Sequence, residues 1–234
     1  MSKLVDIKGY WNEFSIKDYM NKSCGNDFND NDMWEGKLLL EDDGWFEGIV
    51  VDPFSSYTEN RFVFGIYYPN KVFELYKFTP MSISNPFVFH AKKDCEGYDG
   101  TLEIIGLFGP LPYGRCRILT SHIDVKNNPV EQMSTEEEKK KLQEKIQAYK
   151  DNTMDDVGRE FYENAIAQRS SLCKIILANY EGREFTTEEM QQIMEECQPV
   201  NERIMKATEE EAKRLVKQMP KNLFEDDDDE LPFK

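Results

Sequence analysis

Histidine is nearly absent from this sequence: His90 and His122 are the only two in 234 residues. That leaves little material for a histidine-built metal centre or an imidazole acid–base pair. Cysteine is sparse and scattered. Cys24, Cys95, Cys116, Cys173 and Cys197 are odd in number, and no two stand at the C-x-x-C spacing of a zinc or redox site. Reduced structural thiols are expected, with neither metal nor cofactor. No apolar run approaches the roughly 18 residues of a membrane helix. The opening MSKLVDIKGYW lacks the apolar stretch of a signal peptide, so a cytoplasmic protein without a membrane partner is expected. Also missing are G-x-S-x-G, H-E-x-x-H, G-x-G-x-x-G and the phosphate loop, so no motif supports catalysis. Positive charge is in short supply, and the formal net charge is −16. Such a balance opposes a direct grip on nucleic-acid phosphates and favours a basic partner.

What is present divides near Asn127-Asn128-Pro129. Before that point lie 22 of the 29 aromatic residues, and after it the chain is rich in Glu, Lys, Gln and Met. Aromatic and β-branched side chains pack well on a pleated surface, whereas Glu, Lys, Gln and Met lose little rotamer freedom in a helix. The composition predicts a strand domain over 1–127, a helical region over 128–220 and an acidic tail over 221–234.

In the first region, runs of about six to ten residues are separated by turn signals. Gly36–Glu41 and Trp45–Asp52 flank Asp42-Asp43-Gly44, a hairpin loop with glycine where positive φ is needed. Arg61–Tyr68 and Val72–Thr79 flank Pro69-Asn70-Lys71, and Phe87–Lys92 and Thr101–Gly106 flank a loop with Gly97 and Gly100. Tyr113–Val125 follows, and an eighth strand fits near Gly9–Ile16. Short links imply antiparallel neighbours, and such a meander loses its exposed edges by closing into an up-and-down barrel. A sandwich satisfies the same pattern. Phe62, Phe64, Ile66 and Tyr68 alternate with Arg61, Val63, Gly65 and Tyr67. Both faces of that strand are apolar, so one is expected inside the barrel and the other against the helices.

In the helical region, Ser134-Thr135-Glu136-Glu137 has the form of a capping box opening a helix to about Lys150. Thr153 is positioned to cap a second helix that Gly182 ends in the left-handed conformation. Met190, Ile193, Cys197, Val200, Ile204 and Ala207 then step by 3, 4, 3, 4, 3, a heptad seam that holds its register across Pro199. Thr153–Tyr180 against Thr187–Gln218 is the expected helical hairpin. The 187–218 seam packs on its own chain or makes a homodimer. The fold class is therefore α+β: an antiparallel β-barrel, a helical hairpin and a disordered acidic tail.

Asp27-Phe28-Asn29-Asp30-Asn31-Asp32 imitates a calcium loop, but Asp32 and Leu38 stand where that loop needs glycine and a bidentate glutamate. A polar connection is expected instead. His90 or His122, with a carboxylate such as Glu74 or Glu103, could line the barrel as an acid–base site, although nothing in the spacing requires it. No catalytic residue is assigned.

Gly9-Tyr10-Trp11 resembles the Gly-x-Trp signature that opens lipocalin-like (calycin) barrels, and Trp34-Glu35-Gly36 with the aromatic hairpins after it is similar to them over about residues 9–125. The resemblance implies that Trp11 closes one end and that the open mouth takes a small apolar ligand. Phe64, Tyr76, Phe89 and His90 would then join Trp11 as ligand-binding residues.

The chain ends LFEDDDDELPFK, with Leu-Pro-Phe after six consecutive acids. It resembles the tip of bacterial single-stranded-DNA-binding proteins, whose aspartates steer the tail to basic rims and whose Pro-Phe end enters an apolar pocket. By that resemblance Asp226, Asp227, Asp228 and Asp229 would steer, and Pro232 and Phe233 would anchor. Lys234 follows Phe233, so the terminal carboxylate lies one residue farther along than in that family. Residues 1–127 hold 13 Lys and Arg against 19 Asp and Glu, and a DNA-binding barrel needs the opposite balance. The expected function is that of an adaptor or inhibitor whose acidic surface and tail bind a basic protein. A carrier or sensor of small apolar ligands and an enzyme using a barrel-lining histidine are the alternatives.

Overall fold

The computed structural model describes residues 2–13, 33–52, 60–78, 86–94, 97–106, 109–122 and 129–218. Eight strands follow one another: β1 (Lys3–Glu13), β2 (Met33–Leu40), β3 (Trp45–Val51), β4 (Asn60–Tyr68), β5 (Val72–Lys77), β6 (Phe87–Lys93), β7 (Tyr98–Gly106) and β8 (Gly109–His122). Each pairs antiparallel with its neighbour, and β1 pairs with β8, so the sheet closes into an up-and-down barrel without edges. The sandwich is thereby excluded. The first strand begins at Lys3, six residues before Gly9: Val5 and Ile7 point inward while Asp6 and Lys8 alternate with them on the outer face.

The turns form where positive φ is available. Gly44 has φ +95°, and Asn70 takes the left-handed conformation at 64°, with the Tyr98 hydroxyl accepting from its backbone N–H at 2.9 Å. The turns at 41–44, 69–71 and 94–97 leave from one end of the barrel, and the longer connections 14–32, 52–59 and 78–86 leave from the other.

Two cores meet across the sheet. The interior is packed with Trp34, Leu38, Phe46, Tyr67, Phe73, Leu75, Phe89 and Tyr98, all buried. The outer face of β2 to β5 carries Leu39, Trp45, Ile49, Phe62, Phe64 and Ile66, equally buried, and the helices lie on it. They are α1 (Pro129–Asn152), α2 (Asp156–Ala167), α3 (Arg169–Glu181) and α4 (Thr187–Gln218). Leu142, Ile146 and Tyr149 of α1, Phe161 and Ala165 of α2, and Leu172, Cys173 and Ile176 of α3 fill the second core.

The helix boundaries differ from expectation in three ways. Pro129, with its fixed φ and missing N–H, begins α1, so the Ser134 sequence lies inside the helix rather than at its start. Asp155, not Thr153, caps α2 by accepting from the Gly158 N–H at 2.7 Å, while the Thr153 N–H closes α1 on the Tyr149 carbonyl. The arm from 156 to 181 is broken at Gln168 into α2 and α3, and the break lets both pieces reach the barrel. Gly182 ends α3 with φ 64°, as its position implies. The chain then reverses into α4, which passes through Pro199 as one helix. Ile193 and Val200 hold its inner face against the hairpin.

Candidate functional site

Among the described residues, three places are candidates: the barrel end with the long connections, the outer sheet face around His90, and the outer face of α4.

At the barrel end, Trp11 of β1, Phe87 of β6 and Tyr113 of β8 form a half-buried aromatic ring, with centroids 6.4 Å (Trp11–Phe87), 5.9 Å (Trp11–Tyr113) and 5.6 Å (Phe87–Tyr113) apart. Tyr113 reaches it because of an irregularity. Leu102 pairs with Gly114 and Glu103 with Pro112, leaving Tyr113 as an extra residue in a β-bulge. Bulges at barrel rims commonly re-aim a side chain in this way.

A buried ion cluster lies at the same end. Arg61 is the second residue of β4 and Lys77 closes β5, both on the inward parity of their strands. Lys77 Nζ donates to Asp52 Oδ1 at 2.5 Å and lies 5.6 Å from the centre of the Trp34 ring; Arg61 Nε lies 3.8 Å from Asp52 Oδ2. Burial pulls the Lys77 ammonium below its ordinary pKa, against the opposing pull of Asp52. Trp34 is fully buried, and its indole N–H has no hydrogen-bond partner among the described residues, a cost that a buried donor ordinarily avoids. Two cations, one carboxylate and an unsatisfied donor below an aromatic ring would suit an apolar or aromatic body with an anionic or hydrogen-bond-accepting end. The sequence reading missed this cluster. Its signal was the presence of a lone Arg61 and a lone Lys77 on the same parity as Val63 and Tyr67, and as Phe73 and Leu75.

The expected ligand-binding residues fall on two sides of the sheet. Trp11 and Phe89 face the interior. Phe64 and Tyr76 do not: they lie on the outer face, stacked 5.1 Å apart beneath α2. A strand apolar on both faces does not reveal which one is inside, and the helices claim this one.

His90 is also outside. Its Nδ1 lies 3.0 Å from Glu74 Oε2 and its Nε2 3.4 Å from Glu103 Oε2, and the Tyr76 hydroxyl donates to Glu74 Oε1 at 2.7 Å. Glu74 is the cross-strand partner of His90, and Glu103 sits beside Val88 on the next strand. Burial disfavours the charged ring, but the two glutamates outweigh it and raise the His90 pKa above its ordinary value. Both ring nitrogens face carboxylates, which makes the ring the centre of an ion-pair cluster on the outer face. His122 joins no such pair with it. The register runs from His90 to Thr101 to Arg115, and His122 is seven residues farther along β8, roughly 20 Å away at strand rise. Among the described residues, no group of three or more His, Cys, Asp or Glu side chains is placed to hold a metal ion.

Cys116 and Cys173 are buried groups rather than nucleophiles. Burial pushes Cys116 up to about 12 and Cys173 up to about 11, far from the thiolate a reactive cysteine needs.

On α4, Met194 and Met205 are each 64% exposed and Met190 45%. They border an open cleft of about 940 Å³ beside Phe185 and Cys197. Among the described residues no helix is long and apolar enough to cross a membrane. The tail residues Asp226, Asp227, Asp228, Asp229, Pro232 and Phe233, and the polar segment 27–32, lie outside the described residues.

No protein-family model, curated protein or solved structure matches this chain.

Proposed function

We propose that this chain is a protein-interaction module, an adaptor or inhibitor that binds a basic partner through its acidic surface and tail. One observation carries the reading. The aromatic residues that could have lined a cavity instead fill the barrel, while apolar side chains stand uncovered on the outside of α4. A filled barrel serves as a rigid scaffold, and large exposed apolar faces mark interaction sites. The net charge of −16 and the run Glu225 to Glu230 supply long-range steering towards positive surfaces, and Pro232 and Phe233 supply an apolar anchor.

The test compares partners recovered by the full chain and by a chain ending at Asn222. The expected result is that basic proteins held by the full chain at low salt are lost on truncation and on raising the salt. Equal recovery by both chains would end the tail proposal.

A second reading has its own support in the Trp11–Phe87–Tyr113 ring above Lys77, Arg61 and Trp34. On this reading the barrel is lipocalin-like in function as well as in strand plan, and its long-connection end takes a small apolar ligand with a polar, electron-rich end. Native mass spectrometry of the purified chain then shows a retained small molecule that W11A loses. Bare protein after gentle purification from cells would count against a carrier.

A further inference from the structure

Helix α4 has two apolar faces and only one of them is used. Ile193 and Val200 are buried against the hairpin, and Glu196 on the same side accepts from the backbone N–H groups of Ser170 at 3.2 Å and Ser171 at 2.7 Å. The opposite side presents Met190, Met194, Asn201, Met205, Thr208 and Ala212, all exposed, which at 3.6 residues per turn form one stripe. From Asn201 to Arg214 every residue of the helix is exposed. The helix therefore continues beyond the body of the protein with its outer stripe uncovered.

The charges beside that stripe indicate what covers it. Residues 187–202 contain Glu188, Glu189, Glu195, Glu196 and Glu202 and no Lys or Arg; residues 203–218 contain Arg203, Lys206, Lys213, Arg214 and Lys217 against three glutamates. Glu188, Glu195 and Glu202 recur every seven residues. Lys206, Lys213 and Lys217 continue along the same flank, and at 100° per residue all six fall within a sector of about 60°. Among the described residues, Glu195 and Glu202 accept from glutamines one turn earlier, Gln191 at 2.8 Å and Gln198 at 2.7 Å. The acidic half of α4 thus offers a Met-lined apolar stripe with a carboxylate rim. Its complement is a helix with an ammonium rim, and the other half of α4 supplies one, with Lys206 and Lys213 seven residues apart and Lys217 one turn farther on.

We infer that α4 pairs antiparallel with α4 of a second copy of this chain. With the two-fold axis near residue 203, Glu188 of one copy meets Lys217 of the other, Glu195 meets Lys213, and Glu202 meets Lys206, each pair formed twice. On the stripe, Met194 faces Ala212 and Asn201 faces Met205. A two-fold axis perpendicular to the helices keeps like flanks on one side, so Lys217 and Lys213, too far along the helix to reach Glu188 and Glu195 in one chain, lie opposite them in the pair, and Lys206, one turn from Glu202 of its own chain, meets Glu202 of the other as well. A parallel pair would instead set one acidic half beside the other. Methionine suits the contact, because its flexible thioether fits against a helix of modest residues such as Ala212 and Thr208. The pairing uses neither the tail nor the barrel mouth.

Sedimentation equilibrium on the full chain tests it. The expected result is a dimer at low ionic strength whose dissociation constant rises about tenfold or more at ~0.5 M salt. The triple variants E188K/E195K/E202K and K206E/K213E/K217E are each monomeric, and an equimolar mixture of the two restores a dimer. Circular dichroism shows that both fold as the unaltered chain does, since all six positions are exposed. For direction, M194C and A212C are mixed in a C197S background and oxidised, and the expected cross-link joins Cys at 194 of one copy to Cys at 212 of the other. A monomer at ~100 µM in low salt, or dimers unchanged in both triple variants, overturns the inference. Cross-links that form only between like positions overturn the antiparallel direction.

Discussion

His90 shows how a single side chain can make the barrel sensitive to pH without touching its interior. The ring is held between Glu74 and Glu103, and its pKa is raised above 6.5 by them despite burial. The folded state therefore binds the proton more tightly than the unfolded chain does. The stabilisation this gives is fully present below the unfolded pKa of about 6.5 and disappears as pH rises through the folded value. The ring is 39% exposed, so solvent screening keeps the effect small. In urea titrations the loss of stability in H90Q should be larger near pH 5.5 than near pH 8.5; an equal loss at both would mean that the ring is held by packing alone. Gly9 acts through volume. A Cβ there would lie 2.0 Å from Cζ2 of Trp34, a buried ring with no room to move. G9A should lower stability by about 1–3 kcal/mol or more, read from the urea midpoint. The sequence exposed this glycine only through its likeness to Gly-x-Trp, because the residue it accommodates is Trp34, twenty-five positions away. Gly44 and Asn70, by contrast, serve local backbone needs and could be read from their own neighbours.

At the level of elements, periodicity revealed the strands and tertiary contacts decided the helix ends. Strand β4 shows both. Its alternation places Phe62, Phe64 and Ile66 on one face and Val63 and Tyr67 on the other, as they are found, but two apolar faces carry no mark of which is the lumen, and Phe64 and Tyr76 lie on the outer one. Helix α3 shows why boundaries are harder. Its N-cap residue, Gln168, makes no side-chain capping bond. The first-turn N–H groups of Ser170 and Ser171 are satisfied by Glu196, a residue of α4, and the Ser171 hydroxyl also donates to that carboxylate. A carboxylate at a helix N-terminus is favoured by both the free donors and the dipole, but no local pattern could announce one supplied from 25 residues later. E196A should therefore cost about 1–2 kcal/mol, more than the Glu202→Ala change six residues on. Equal midpoints for the two in chemical denaturation would show that α4 does not cap α3. The genuine capping box of α4 is local: Thr186 Oγ1 accepts from the Glu189 N–H at 3.1 Å, and Glu189 accepts from the Thr186 N–H at 3.0 Å. The same form at Ser134 was overridden because Pro129 starts the helix earlier.

For the molecule as a whole, the sheet is a shared wall. Phe62 and Phe64 lie between the barrel and Tyr149, Phe161 and Tyr162 of the helices, so the barrel and helices 129–200 have one stability. The remainder of α4 is different. Beyond Glu202 every described side chain through Arg214 is exposed, and among the described residues the Arg203–Asn164 hydrogen bond ties it to the body. Residues 203–214 bury too little to matter for the fold of one chain, yet this end of the helix supplies the lysine half of the proposed pairing. The two roles separate in one measurement. A chain ending at Glu202 also lacks the tail, so it is compared with a chain ending at Gln218. If the pairing is as inferred, the longer chain melts at a temperature that rises with protein concentration, because association stabilises only the folded state. The shorter chain melts at one temperature over the same range, equal to that of the longer chain at high dilution within the change expected from ~0.5 kcal/mol. A lower melting point for the shorter chain at every concentration would mean that 203–218 supports the barrel itself, and concentration dependence in both would move the dimer contact elsewhere on the protein.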